Sequence, residues 1–314
     1  MSAQRRRRKA KPVRLAFLSN WERPAWSYHR HCWMTPGRGG VWGALAATRS
    51  LWGADYVVVH QGLPGRYYHV VPPWKTLLFR HEPSYVEPNW PRRSVWPTRL
   101  FPPAFQQSFL SGGVPMVATW WINMDYDTLI ALRPPPKSKP LSCIASAKAD
   151  VAGHRLRLEL LTALAARYAA DIDIFGRGLE SRIRGPAYKG PLERDAGFPL
   201  GPQCKYDGLR DYRYSLCVEN GRERNYYTEK IVDAWLSWTV PIYWGCPNLS
   251  EFYPRESFIE VDISRPDAAD EVVRRAREPV SRLTMEAIAE ARHLALNRYS
   301  TWGTVQHLLD AGLC

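Results

Sequence analysis

Apolar residues along this 314-residue chain gather into short runs rather than long alternating stretches. Residues 14–18, 56–60 and 76–79 are brief aliphatic or β-branched runs, which predicts buried strands. Residues 41–51 carry apolar positions at helical spacing and end at Gly53, predicting a helix. The second half repeats the alternation more clearly. A strand is predicted over 141–145, a helix rich in Leu, Ala and Arg over 154–170, and an alternating strand over 171–175. After an irregular stretch reaching Gly208 come strand 212–218, helix 229–238, strands 240–244 and 258–261, and two terminal helices near 266–278 and 282–298. Strands alternating with helices predict parallel, doubly wound sheets, so the fold class is α/β, with two Rossmann-like domains facing each other across a cleft. The divider is residues 131–140, where Pro134, Pro135 and Pro136 favour a stiff extended connection. The expected plan is a basic disordered tail (1–12), an N-terminal domain (13–133), a Pro-rich linker (134–140) and a C-terminal domain with terminal helices (141–314).

Composition narrows this further. Hydrophobic residues make 45% of the chain and charged residues 23%, which excludes wholesale disorder. No apolar run nears the ~18–20 residues needed to cross a bilayer, and Met1 opens onto arginines. Six cysteines without CxxC or metal-ligand spacing predict reduced thiols and a cytoplasmic setting. The net charge of +13 draws anions: nucleic acid, an acidic membrane face or phosphorylated small molecules. Arg5–Arg8, Lys9 and Lys11 concentrate six cations in the tail, either a solvated arm or an attachment to anionic lipid or nucleic acid. Many of the fourteen tryptophans precede residue 130 beside prolines, which suggests an aromatic binding face, with residues 83–103 as a loop over the cleft.

The chemistry concentrates in residues 212–245, YRYSLCVENGRERNYYTEKIVDAWLSWTVPIYWG. A strand ends at Glu219-Asn220, a polar loop follows, and Thr228 is placed to cap the next helix. Ile231, Ala234, Trp235 and Trp238 share one helical face and read as core. Lys230 is the anomaly, because a cation in the first helical turn opposes the helix dipole at roughly 0.3–1 kcal/mol. Arg157 is expected in the first turn of the helix after strand 141–145. In a doubly wound sheet both turns lie at the carboxyl ends of strands, where ligands bind. A diphosphate held by free N–H groups and both side chains satisfies this placement, and so does a solvated lysine.

This segment resembles the donor-binding signature of the α-1,3/4-fucosyltransferases, glycosyltransferase family 10, the bacterial ones especially. The similarity runs through Glu219-Asn220, a five-residue spacer, Tyr226, then Thr228-Glu229-Lys230-Ile231 and Pro241-Ile242-Tyr243-Trp244-Gly245. The resemblance implies a GT-B-like fold that binds GDP-fucose, with Asn220, Tyr226 and Lys230 contacting the nucleotide sugar and Glu229 on the ribose or the sugar. Arg157 would match the family's diphosphate-binding arginine, and Arg177 and Glu219 would lie near the donor. Residues 14–21 (RLAFLSNW) are similar to the family's opening strand. Residues 77–84 (LLFRHEPS) are similar to its strand-loop with a glutamate before Pro and Ser, which implies Glu82 as catalytic base, with Glu87 the nearest competitor. Residues 120–127 (WWINMDYD) depart from the family pattern and leave the acceptor open.

The activity implied is inverting transfer of L-fucose from GDP-β-L-fucose to a glycan hydroxyl, α-1,3 on a GlcNAc-type sugar. The N-terminal domain would bind the acceptor and the C-terminal domain the GDP-sugar. GDP-fucose and a glycan are the partners, with no nucleic acid. The basic tail would make peripheral contact with an anionic inner membrane during lipid-linked or lipopolysaccharide glycan synthesis. No cofactor beyond the co-substrate is expected and no metal ligand is assigned, although Asp125-Tyr126-Asp127 and Asp171-Ile172-Asp173 both have the DxD form. Gly176-Arg177-Gly178 reads as a turn, His81 as a loop residue, and Asn248-Leu249-Ser250 as a sequon only in a secreted chain. Alternatives are transfer of another GDP-sugar and a catalytically inactive glycan- or nucleotide-binding relative. A nucleic-acid-binding protein would explain the charge but not the 212–245 segment.

Overall fold

Five short strands build the first sheet: β1 (Val13–Ser19), β2 (Val41–Trp42), β3 (Leu45–Ala47), β4 (Tyr56–His60) and β5 (Thr76–Phe79). They lie in the order β2-β3-β1-β4-β5, parallel except for the β2–β3 pair. Val57, Val58, Val59, Leu77 and Leu78 are buried, which explains why both strands read as continuous apolar runs. The computed structural model describes residues 11–67, 69–83, 117–192 and 205–312. The tail through residue 10, the loop expected over the cleft beyond residue 83 with its Glu87, Cys204 and Cys314 lie outside the described residues.

The helix expected over 41–51 does not form. Its apolar positions belong to β2 and β3, joined by a tight turn in which Gly43 takes a positive φ of 55°. That backbone is open to glycine and closed to a regular helix. The helix of this domain lies earlier, as α1 (Pro24–Trp33), with proline in its first turn. Its buried residues are Ser27, Arg30, His31 and Cys32, so its inward face carries little apolar signal.

The second sheet contains β6 (Lys139–Ile144), β7 (Ile172–Phe175), β8 (Tyr188–Gly190), β9 (Tyr212–Val218), β10 (Val240–Trp244) and β11 (Ile259–Glu260). Its order is β11-β10-β9-β6-β7-β8 and every pairing is parallel. The chain winds outward from β6 through β7 to β8, then returns to β9 on β6's other flank. The crevice of the sheet therefore opens at the carboxyl ends of β6 and β9. Around it run α2 (Tyr126–Ala131), α3 (Ala152–Arg167), α4 (Glu229–Leu236), α5 (Ala268–Arg277), α6 (Arg282–His293) and α7 (Thr301–Asp310). No helix among the described residues is long and apolar enough to cross a membrane.

The last helix, unanticipated in the sequence, returns to the first sheet. Trp302 is fully buried, its ring lies 5.2 Å from Phe17, and its Nε1–H donates to the His31 carbonyl at 2.9 Å. Arg292 of α6 sits over Trp238 and donates to the carbonyls of Leu236 and Leu129, so it ties α4 to the end of α2. Two Rossmann-like halves thus meet with their carboxyl edges across one cleft, the GT-B-like arrangement expected.

Three buried histidines form a chain inside the first half, at the carboxyl edge of its sheet. His31 Nδ1 lies 2.7 Å from the Ser27 carbonyl, His31 Nε2 is 3.0 Å from His60 Nε2, and His60 Nδ1 is 2.7 Å from His81 Nε2. Burial lowers the pKa of His31 to about 3 and of His81 to about 4, and takes His60 well below its ordinary value; the Arg30 charge pushes all three the same way. The folded chain thus keeps these rings neutral where the unfolded chain, titrating near 6.5, takes up protons. Stability is full above about pH 6.5 and is lost as pH falls toward 3, by about 1.4 kcal/mol per pH unit for each histidine. Urea midpoints should decline from pH 6.5 to 4, and the decline should be shallower in His60→Phe. An equally steep decline in that variant would assign the acid sensitivity to other groups.

Candidate active site

The floor of the cleft is set by one carboxylate. Glu219, just past β9 and fully buried, accepts from the Thr228 N–H at 2.8 Å, the Thr228 hydroxyl at 2.7 Å and Lys230 Nζ at 3.1 Å. Thr228 caps α4 from extended backbone, as its sequence position predicts. Gly245 makes this geometry possible, because a Cβ there would lie 2.5 Å from Glu219 Cγ. Lys230 therefore leaves the first turn of α4 with its ammonium already oriented. Burial works against its charge, yet Glu219 and Glu229 hold its pKa above the ordinary lysine value.

A cavity of about 420 Å³ lies above this floor, at the meeting of the two halves. From the first half come Trp21, His81 and Glu82; from the second come Ser146, His154, Arg157, Arg177, Lys205, Asn220, Glu229 and Lys230. Arg157 and Lys230 face this same cavity. Arg157 is 3% exposed, donates from Nη2 to the Ser146 carbonyl at 3.1 Å, and has a buried Nε without a hydrogen-bond partner among the described residues. Burial lowers its pKa below the usual arginine value. The expected position of Arg157 in the first helical turn needs correction. Helix α3 starts at Ala152, so Arg157 lies in the second turn, and its distinguishing feature is a buried guanidinium rather than opposition to the helix dipole.

Glu82 reaches across the cleft. Its Oε2 accepts from Asn220 Nδ2 at 3.0 Å, and Asn220 Oδ1 lies 2.9 Å from His154 Nε2. Glu229 pairs with Lys205 at 3.3 Å, and Lys205 also reaches Asp233 at 3.1 Å. Burial raises carboxyl pKa values here, but Lys205 and Lys230 hold Glu229 down to about 2. Burial prevails at Asp233, which stands at about 6 even though Lys205 and the Trp121 N–H, at 2.7 Å, favour its ionised form.

The expected residues Glu82, Arg157, Arg177, Asn220, Glu229 and Lys230 thus line one cavity. Two others do not. Glu219 lies beneath the floor, and Tyr226, 2% exposed, sits behind it within reach of the Arg157 charge. Sequence reasoning missed Lys205, His154 and Trp121. Lys205 follows an irregular stretch with no periodic signal, whereas His154 could have been found as the residue one turn before Arg157. The DxD carboxylates have other partners. Asp125 caps α2, Asp127 accepts from the Gly37 N–H, Asp171 pairs with Arg277, and Asp173 accepts from Tyr212 and Lys139. Asn248 of the sequon is buried, donating to Asn225 and Glu251 at 2.8 Å.

Two facing Rossmann-like halves with a cation-lined cleft between them make a GT-B-like fold. Residues 135–271 match the model described as glycosyltransferase family 10 (fucosyltransferase), C-terminal. An α-(1,3)-fucosyltransferase of Helicobacter pylori is 44% identical over 57 residues, 18% of this chain and 12% of that protein. A putative fucosyltransferase-like protein of Arabidopsis thaliana is 30% identical over 155 residues, 48% of this chain and 25% of that one. The matches span a third or less of these relatives' lengths. Among solved structures, an α1,3-fucosyltransferase with GDP aligns over 100% of this chain and 93% of its own, at 15% identity and a TM-score of 0.46.

Because Glu219 takes three donors, Glu219→Gln should lower stability by about 3 kcal/mol, as expected when one partner of a buried ion pair is removed. Urea unfolding at pH 7 measures this, and an unchanged midpoint would mean that Lys230 is held by something else.

Proposed function

We propose that this protein is an inverting fucosyltransferase that moves L-fucose from GDP-β-L-fucose to a glycan hydroxyl, forming an α-1,3 link on a GlcNAc-type sugar. The observation that carries the reading is the division of one cavity into a cationic wall, with Arg157 and Lys230, and an opposing wall that presents Glu82. The diphosphate would lie along the cationic wall, where Arg157 and Lys230 supply charged donors. Asn220, Glu229 and Arg177 would line the sugar and ribose, with Tyr226 backing Arg157 and Glu219 orienting Lys230.

In the transfer, the acceptor oxygen forms a bond to the fucose anomeric carbon as the bond from that carbon to the β-phosphate oxygen breaks. The hydroxyl proton passes to Glu82 and the bonding pair leaves with GDP. Both demands are met by fixed groups: a carboxylate takes the proton as the nucleophile attacks, and buried cations stabilise the charge growing on the leaving diphosphate. Holding the two substrates between two domains supplies the orientation that a bimolecular reaction lacks. The six cations of residues 5–11 would hold the enzyme near an anionic membrane face that carries its acceptor.

Two substitutions test the core of this reading. Lys230→Ala should weaken GDP affinity by roughly ten- to a hundredfold, the cost of a charge-assisted bond; titration calorimetry measures it, and undiminished affinity removes Lys230 from the donor site. Glu82→Gln should leave GDP affinity intact and slow transfer by about 10²–10⁴-fold; normal turnover would remove Glu82 as the base. Deleting residues 1–12 should abolish sedimentation with phosphatidylserine vesicles but not transfer in solution, and unchanged sedimentation would end the tail's assigned role.

A further inference from the structure

The histidine chain ends in the proposed active site. His81 lines the cavity one residue before Glu82, and its ring meets Trp21 edge-on at 5.2 Å. The direction of the chain follows from its far end. The Ser27 carbonyl can only accept, so His31 Nδ1 carries a proton. A neutral His31 then has a bare Nε2, which requires a proton on His60 Nε2 and leaves His60 Nδ1 bare. That atom in turn requires the proton on His81 Nε2. His81 Nδ1 is left as a bare lone pair, with no hydrogen-bond partner among the described residues.

We infer that His31, His60 and His81 form a tautomer lock, which fixes His81 Nδ1 as a hydrogen-bond acceptor beside Glu82 and selects an acceptor sugar presenting a second hydroxyl next to the reacting one. The inference rests on the proposed transfer reaction for the identity of the ligand, but the lock itself does not. Two acceptors side by side, Nδ1 and a carboxylate, suit two O–H donors on neighbouring positions. Glu82 takes the proton of the reacting hydroxyl, and His81 receives only a hydrogen bond. His81 is unsuited to the base's work because a proton taken at Nδ1 would create a cation on a buried ring, which burial disfavours more than the Glu229 charge favours it, and the Arg30 guanidinium adds to the cost. The groups facing the chain are Arg30 from α1, which pairs with Glu22 and stacks on Trp121, Glu229 from α4, and the Gln61 side chain, which accepts from the His81 N–H. Phe17 stacks on His31 at 3.9 Å and keeps its ring in register. His31 and His60 are positioning residues that act through His81.

Long-range ¹H–¹⁵N correlation spectra of the full chain labelled with [¹⁵N]histidine read the lock directly. His81 should appear as the Nε2–H tautomer and stay neutral down to pH 5, whereas an Nδ1–H tautomer or a charged ring at pH 6 overturns the inference. The kinetic arm uses GDP-fucose with methyl β-N-acetylglucosaminide and its 4-deoxy and 6-deoxy derivatives. His60→Phe should lower kcat/KM for the glycoside roughly tenfold, mainly through KM, and add an acid limb near pH 6.5, with GDP affinity unchanged. One deoxy derivative should lose roughly tenfold with the wild type and much less with that variant. Should His60→Phe fail to fold, His81→Asn, which keeps an acceptor at the δ position, should retain more activity than His81→Leu. Equal losses in the two His81 variants, or equal deoxy penalties in wild type and His60→Phe, overturn the assignment, as does a wild type that binds GDP-fucose but transfers to none of these glycosides. Failure to bind GDP-fucose would instead overturn the transferase reading and leave the spectroscopic result standing.

Discussion

A carboxylate buried away from solvent must find its hydrogen-bond partners within the protein, and three donors converge on Glu219. This constraint organises the second half of the cleft. The strand β9 delivers Glu219, the loop after it returns Thr228 as a helix cap, and α4 begins with Lys230 already ion-paired beneath its tip. Gly245, at the end of β10, is small because Glu219 Cγ occupies the space of its missing side chain. Residues 26 positions apart in sequence therefore act as one unit, which is why the segment from Glu219 to Gly245 reads as a single signature rather than several loose motifs.

The two walls of the cleft differ in polarity. The second half offers donors: Arg157, Lys205, Lys230 and the Asn220 amide. The first half offers acceptors, the Glu82 carboxylate and the bare nitrogen of His81. A group transfer with charge growing on the leaving side and a proton departing on the other needs this asymmetry. It also needs the walls held at a fixed distance. Trp302 inserted against Phe17 and His31, with Arg292 clamped on carbonyls at the ends of α2 and α4, provides the ties between halves.

Legibility in the sequence followed burial. The strands β4, β5 and β10 were readable because parallel strands covered on both faces leave near-continuous apolar runs, and β9 by its apolar end at Leu216–Val218. Helix α1 was not, since its inward face carries Ser27, Arg30 and His31 in place of aliphatic residues. The false helix over 41–51 arose where apolar spacing fitted a helix and the turn at Gly43 overrode it. Of the site, the cations and Glu82 were legible through their resemblance to a family, and Arg157 was misplaced by one turn. Lys205 and the histidine chain were invisible, because 21 and 29 residues separate the hydrogen-bonded rings and nothing local marks any of them. Hydrogen-bond networks assembled from distant segments leave no periodic trace.

The charge surplus of the chain invites the view that gross attraction holds the anion, and the cleft argues otherwise. Within it Lys205 is matched by Glu229 and Asp233, and Lys230 by Glu219, so the deep cations are largely spent on internal partners. Arg157 faces the cavity without an ion pair among the described residues, its Nε unsatisfied. On the proposed function, selectivity for a diphosphate would come from donors fixed in place before the ligand arrives, which need no reorganisation on binding. Exposed charge elsewhere raises the encounter rate and is screened by salt, whereas these largely buried pairs are screened much less. The same pairing explains how several cations can crowd one pocket: each carboxylate offsets the repulsion between its neighbours, so that the Arg157 guanidinium lowers the Lys230 pKa but Glu219 and Glu229 more than restore it.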